Sequence, residues 1–304
     1  MSSKYQEITE RIVAELDRGT APWSKPWISR PPVNAVSGKP YRGINHLLLQ
    51  IAGYPDHRWL TYKQAGDLGG NVKRGEHGTL IVFWQFVDGK EDHGADDHQK
   101  QRKIPLCRVY TVFNASQCEN ALVSEGGKLP DLEPCHQTGD GSAIQAARLL
   151  FSKMPDPPHL ERSDIAAYVP SRDVVLMPNE KAFVTEAGWA ATLAHELSHA
   201  SGHERRLNRP AVAGTVMFAD PQYSEEELIS EISANFICAE IGVTNDVANS
   251  AAYIDHWRQK LSSDSKLIIR AASAAQKAAD WVLGRSADGG GEIENVSSPH
   301  NPQQ

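Results

Sequence analysis

Apolar positions change their period several times along the chain, and the changes mark its elements. Over 5–20, Ile8, Ile12, Val13 and Leu16 recur every three or four residues, which predicts an amphipathic helix stopped near Gly19. The stretch 21–45 is rich in Pro, Gly and Asn, has no period, and predicts an extended, ordered loop. A short helix follows over 46–54. Another is predicted over 61–70, capped by Thr61 and stopped by Gly69-Gly70. Segments 77–87 and 106–116 are rich in β-branched and aromatic residues and predict two strands of a hairpin. The charged, polar run between them, 88–103, predicts a mobile loop.

The second half is more helical. A linker composition covers 124–141, and a helix is predicted over 142–154. Two short strands around "PSRD" form a hairpin over 165–178. A helix runs from about Thr185 to about Ser201, and another over 224–243, with Ser224 as cap and Gly242 as stop. The segment 249–284 is helical with a break near Ser262-Ser263, and 285–304 reads as a disordered tail. The expected fold is therefore α+β in two domains. An N-terminal α+β domain spans 1–123, and a mainly helical domain with a small β-hairpin spans 142–284.

Composition narrows this picture. The 304 residues carry a net charge of −7, split as +3 over residues 1–123 and −10 over the rest. The acidic total disfavours tight non-specific DNA binding by the whole chain but leaves room for a basic face in the first half. No run of about eighteen apolar residues offers a membrane span. The N-terminus has no apolar signal core, which predicts a cytoplasmic protein. The four cysteines, 107, 118, 135 and 238, form no C-x-x-C pair, against both a disulfide framework and a cysteine-bound metal.

The stretch "ATLAHELSHASGH" (191–203) carries chemistry. On a helix, His195 and His199 share one face and can reach one ion, with Glu196 beside them as general base. Three residues compete to be the third ligand. His203 follows His199 by only four residues, one turn too far along. Glu227 and Glu231 lie one turn apart on the next long helix. Glu227 as ligand, with Glu231 holding the first histidine from behind, resembles the gluzincin pattern, and the reverse assignment stays open. Tyr223 is a candidate for steadying an oxyanion. Two histidines and a glutamate suit Zn2+, and also Mn2+ or Co2+.

In the first half, aromatic and basic residues interleave: Trp23, Lys25, Trp27, Arg30, Lys39, Tyr41 and Arg42, with Asn45, then Lys63, Lys73, Arg74 and Arg108. Bases stack on aromatic faces while Lys and Arg follow phosphates, so the mix suits single-stranded nucleic acid. Trp59 and Trp84, in or beside regular elements, are expected in the core.

Both halves resemble one known family. "GTAPWSKPW", "NAVSGKPYRGIN", "RWLTYKQAGDLGGNVKRGEHGTLIVFW" and "YTVFNASQCEN" resemble the N-terminal domain of ArdC-type antirestriction proteins and related conjugative primase segments. "LAHELSHASGHERRLNR" with "YSEEELISEISANFICAEIGV" resembles the zincin-like domain that follows it. The resemblance implies single-stranded DNA as partner, protection of incoming plasmid DNA from host restriction endonucleases, and a metallopeptidase-like second domain. It leaves two main expectations, a DNA-binding protection protein or a DNA-localised zinc peptidase acting on restriction subunits or other DNA-bound proteins, and a third, direct occlusion of the restriction enzyme by protein contact.

Overall fold

The computed structural model describes residues 4–19, 21–24, 30–88, 103–120, 142–213, 221–245 and 251–285; within these, 85–88, 103–106, 221–223 and 251–253 are described as backbone only. The linker, the charged loop and the tail predicted above lie outside the described residues.

In chain order, α1 (Lys4–Leu16) leads to β1 (Val33–Asn34), α2 (Ile44–Ile51), β2 (Arg58–Leu60), α3 (Tyr62–Asp67) and β3 (Asn71–Val72). The long hairpin β4 (Thr79–Asp88) and β5 (Lys103–Asn114) follows, then β6 (Cys118–Glu119). The second half holds α4 (Ala143–Lys153), β7 (His159–Arg162), β8 (Ala167–Val169), β9 (Val174–Met177) and α5 (Glu186–Ala200). It closes with α6 (Pro210–Ala213), α7 (Pro221–Ile241), α8 (Ala251–Ser263) and α9 (Leu267–Val282). The strands form three sheets, β1-β2-β5-β4, β3-β6 and β7-β9-β8.

Local chemistry explains most boundaries. Thr61 and Gln64 close a reciprocal capping box on α3, and Gly242 takes a positive φ just past α7. One expectation is corrected. Ser224 does not cap α7, which starts at Pro221, a residue suited to a first helical turn; Ser224 is buried inside the helix. Strands β1, β2 and β7 lack any sequence period because two to four residues are too few to show one.

One hydrophobic cluster crosses both halves. It joins Ile8, Ile12 and Leu16 of α1, Trp23, and Leu47 and Leu48 of α2 to α5, α7 and α9. Helix α7 is its axis, buried on every side from Leu228 to Ala239, packed between α5 and the alanine face of α9 (Ala271, Ala272, Ala275, Ala279). A second, smaller cluster (Tyr41, Leu49, Trp59, Ile81, Val112) sits on the other face of the β4–β5 hairpin. Among the described residues, no helix is long and apolar enough to cross a membrane.

The turn between β8 and β9 is tied to the segment after α5. Asp173, in the left-handed region at φ 50, accepts hydrogen bonds from Arg206 (2.8 and 2.9 Å), Arg205 (2.6 Å) and the Tyr168 hydroxyl (2.9 Å). Burial opposes its charge, but Arg206 and Tyr168 outweigh that and bring its pKa down to about 2. A depressed carboxylate stabilises the fold above its unfolded pKa and loses that contribution as pH falls through the folded value. Asn tolerates the same backbone, so Asp173→Asn isolates the charge. This variant is expected to lose about 2 kcal/mol at pH 7 and to flatten the loss of stability between about pH 4 and pH 2, read from denaturant unfolding across that range.

Candidate metal centre and strand-binding face

Helix α5 begins where Thr185 accepts a hydrogen bond from the Gly188 amide at 2.9 Å. Its Ala/Leu face, Ala190, Ala191, Leu193, Ala194 and Leu197, is wholly buried, so the helix has one orientation against α7. That orientation brings the Nε2 atoms of His195 and His199 to 3.0 Å from each other. Across the groove, the Glu227 carboxylate lies 3.6 Å from His195 Nε2 and 3.3 Å from His199 Nε2. One ligand atom from each of the three lies within 4.8 Å of the others.

The far ring nitrogens are held as well. Glu231 stands 3.6 Å from His195 Nδ1. His199 Nδ1 meets the Ser230 hydroxyl at 3.0 Å and Glu226 at 3.3 Å. Glu226 accepts two hydrogen bonds from Arg209, at 2.9 and 2.6 Å. Arg209 also donates to Ser201 Oγ (2.9 Å) and the Ser198 carbonyl (2.6 Å). Gly202 makes room for it: a Cβ there would stand 2.9 Å from the guanidinium and 2.7 Å from Val212. Sequence reasoning missed Glu226, Ser230 and Arg209. The only available signal was the i, i+4 pairing of Glu226 with Ser230, beside that of Glu227 with Glu231.

The charges explain why a cation belongs here. Three carboxylates on α7, those of Glu226, Glu227 and Glu231, and that of Glu196 on α5 are all buried. Arg209 pairs with Glu226. Buried charge is costly unless matched, and the histidines stand against Glu226, Glu227 and Glu231. Burial disfavours a charged His199, but Glu226 and Glu227 outweigh it and push its pKa up to about 10. The same pair of histidines holds the Glu227 carboxyl well below the usual carboxylate range against its own burial. Two imidazole nitrogens and a carboxylate oxygen converging on one point, in surroundings that demand positive charge, fit a divalent ion. Glu196 is close enough to His195 for its charge to favour the protonated ring. His203 turns away to the segment after α5, where its Nδ1 accepts from the Arg205 amide at 3.3 Å. The Tyr223 side chain lies outside the described residues.

The residues expected to bind a strand scatter. Trp23 is fully buried, edge-on to Trp257 at 5.2 Å, and its carbonyl accepts from Asn235 (2.7 Å) and Asn245 (3.1 Å). It is a core residue, not a stacking platform. Tyr41 is buried in the smaller cluster. Asn45 donates to the Val82 carbonyl (2.7 Å) and accepts from its amide (2.8 Å), which caps the outer edge of β4. Lys25 and Trp27 lie outside the described residues. Arg30 and Arg42 line a cleft where the two halves meet. Lys39, Lys63, Lys73, Arg74 and Arg108 are exposed. Trp59 is buried in the smaller cluster, as expected, and Trp84 stacks on Tyr5 of α1 at 5.7 Å.

Aromatic surface is nevertheless present, on other residues. Phe83, 37% exposed, meets Tyr110 edge-on at 5.4 Å and pairs across the strands with exposed Arg108. Tyr62, 66% exposed, meets Phe113 at 6.3 Å beside exposed Lys63. These rings were legible as strand residues in the sequence, but their exposure was not.

Two family models match the chain: the N-terminal domain of anti-restriction factor ArdC over residues 2–113, and a zincin-like metallopeptidase over residues 155–274. Two Escherichia coli proteins described as DNA primase TraC are 35% and 33% identical over 92% of the chain, which spans 27% and 20% of their length. An uncharacterised protein, y4eC, from Sinorhizobium fredii is 34% identical over 93% of the chain and 92% of its own length. The crystal structure of the antirestriction ArdC protein from the R388 plasmid is 35% identical. Its metal-free form has a TM-score of 0.71 (92% of this chain, 97% of that one), and its Mn(II)-bound form 0.69 (93% and 98%). A zincin-like domain implies a divalent metal.

The Arg209–Glu226 pair gives this site a direct test. Arg209→Met strands a buried carboxylate and is expected to cost about 3–5 kcal/mol. Replacing both partners by methionine is expected to restore much of that loss. Urea unfolding of the two variants beside the parent checks both values.

Proposed function

The chain belongs to the ArdC antirestriction family, and from that premise we propose that it protects incoming plasmid DNA by holding it as a single strand on its N-terminal half. The group on the β4–β5 hairpin formed by exposed Phe83 and Arg108 with half-buried Tyr110 carries this reading. Unpaired bases offer free faces to such rings, each worth about 1–3 kcal/mol, and a neighbouring guanidinium takes the phosphate. Tyr62 and Phe113, beside Lys63, form a separate aromatic pair near the start of α3, on the opposite face of β5.

In the second half, we propose that His195, His199 and Glu227 hold a zinc ion. When bound, the ion supplies Lewis-acid polarisation of a carbonyl oxygen. Glu196 takes the proton of an attacking water, and Tyr223 steadies the developing oxyanion. Glu231, behind His195, and Glu226 with Ser230, behind His199, fix the orientation of each imidazole. This donor set supports a second reading, in which the protein is a DNA-localised peptidase that cuts restriction subunits.

A conjugation assay into restricting and non-restricting recipients separates the two. Glu196→Ala is expected to keep the parent's metal affinity and full protection. Loss of protection with metal affinity retained would make peptide cleavage the protective activity instead. Glu231→Ala is expected to weaken metal binding about 10- to 100-fold in a chelator competition.

On the DNA side, Phe83→Ala and Arg108→Ala are each expected to weaken binding to an oligo-dT strand. The arginine variant is expected also to lower the magnitude of the salt slope by about 0.7, as loss of one phosphate contact would. Unchanged affinity in both variants would remove the hairpin as the strand-binding face.

A further inference from the structure

A cleft of about 400 Å³ opens where the two halves of the chain meet. From the N-terminal half it is lined by Arg30, Arg42 and His57, with Pro31, Val33 and Pro40 as an apolar wall. From the C-terminal half come Glu240, at the end of α7, and Arg285, just past α9. A chain with net charge −7 thus gathers three guanidinium groups around one small volume.

The carboxylates nearby are already taken. Glu240 is engaged by both terminal nitrogens of Arg285, at 2.8 and 2.6 Å. Asp280, on α9, accepts from Arg42 and from Gln276. Arg42 therefore has a structural task, fastening the N-terminal half to α9, and Arg285 fastens the end of α9 to α7. Arg30 has none: it pairs with no carboxylate among the described residues. Three guanidinium groups against two carboxylates leave one positive charge in surplus. His57, half-buried beside Arg30 and Arg58, is kept from adding a second: burial lowers its pKa, the two arginines lower it further, and only Asp56 opposes them. An anion entering the cleft reverses that balance.

We infer that this cleft holds a phosphate of a nucleotide within single-stranded DNA, gripped by Arg30 with Arg42, Arg285 and His57, with the sugar and base lying along Pro31, Val33 and Pro40. Guanidinium groups match the oxygens of a phosphate, the volume lies in the range of small-ligand sites, and the apolar wall suits a sugar and base better than a free inorganic ion. The inference rests on the single-strand reading above and deepens it. It brings the strand to a point where α7 and α9 meet the N-terminal half, so one phosphate touches both halves of the chain.

The test uses the full chain and thymidine 5′-monophosphate as probe. Histidine ring signals are followed by NMR, with His57 assigned through His57→Gln. The nucleotide is expected to move the His57 signal saturably toward protonation, and thymidine, lacking the phosphate, to leave it in place. Arg30→Gln, with an unchanged unfolding midpoint, is expected to weaken the effect about tenfold, the scale of one charge-assisted hydrogen bond. No His57 response at millimolar nucleotide, or a response untouched by Arg30→Gln, overturns the site.

Oligo-dT strands with and without a 5′-phosphate then identify the source. A terminal-phosphate site favours the phosphorylated strand, and Arg30→Gln abolishes that preference. An internal-phosphate site loses affinity for both strands equally. Strand binding that Arg30→Gln leaves unchanged for both sinks this inference while sparing the single-strand reading. A nucleotide response in a chain that binds no strand sinks the single-strand reading and this inference with it, and leaves the cleft as a site for a free nucleotide.

Discussion

Helices α5 and α7 meet along faces built from small and branched residues, Ala190, Ala191, Ala194 and Ser198 on one, Ser230 and Ser233 among Leu228 and Ile232 on the other. Ser198 and Ser233 are hydrogen-bonded at 2.9 Å across the contact. Short side chains let the backbones approach, and the approach puts polar side chains into the seam. Two histidines from α5 face three glutamates from α7 in a place with little water. Arrangements of this kind persist only when each charge is matched. Arg209 matches Glu226, and the imidazoles, protonated or bound to a cation, face Glu227 and Glu231 across the seam. The metal-site chemistry is thus a condition of the packing itself.

The N-terminal half is fitted to the same core and not merely tethered to it. Asn45 of α2 seals the edge of β4, while His46, the next residue, stacks on Phe236 of α7 at 4.3 Å. Burial and the nearby charge of Arg42 lower the pKa of His46 to about 3, so it packs as a neutral ring. One turn of α2 therefore spaces the sheet from the helix that bears Glu227 and Glu231. The hairpin turns one face inward to this seam, through Val82, and leaves Phe83 and Arg108 on the outside.

Much of this was legible in the sequence, for identifiable reasons. The i, i+4 spacing of His195 and His199, the Thr61 cap and the Gly242 stop are local signals, and the elements they mark formed where expected. The Glu227–Glu231 pair was legible because it repeats one helical turn. The Arg209–Glu226 clamp was not, since it joins residues 17 apart, and the guanidinium has room only because Gly202 carries no side chain. Trp23 was misread because a Pro-rich, basic neighbourhood suggests surface, whereas its burial is decided by Trp257, Asn235 and Asn245, more than two hundred residues away. The aromatics on the outer hairpin face were hidden among strand residues, since composition alone does not say which face of a sheet meets solvent.

The buried Trp23 has a consequence for how the chain can be divided. Ile8, Ile12, Leu16 and Trp23 lie in the first 123 residues, yet they are covered by α7, α8 and α9. A fragment ending before α4 would carry all four side chains without the helices of the second half that pack on them, exposing apolar surface of the kind that drives self-association. The two family domains follow one another along the chain, but the physical unit interleaves them: α1 and Trp23 find their packing partner in α8, far along the sequence.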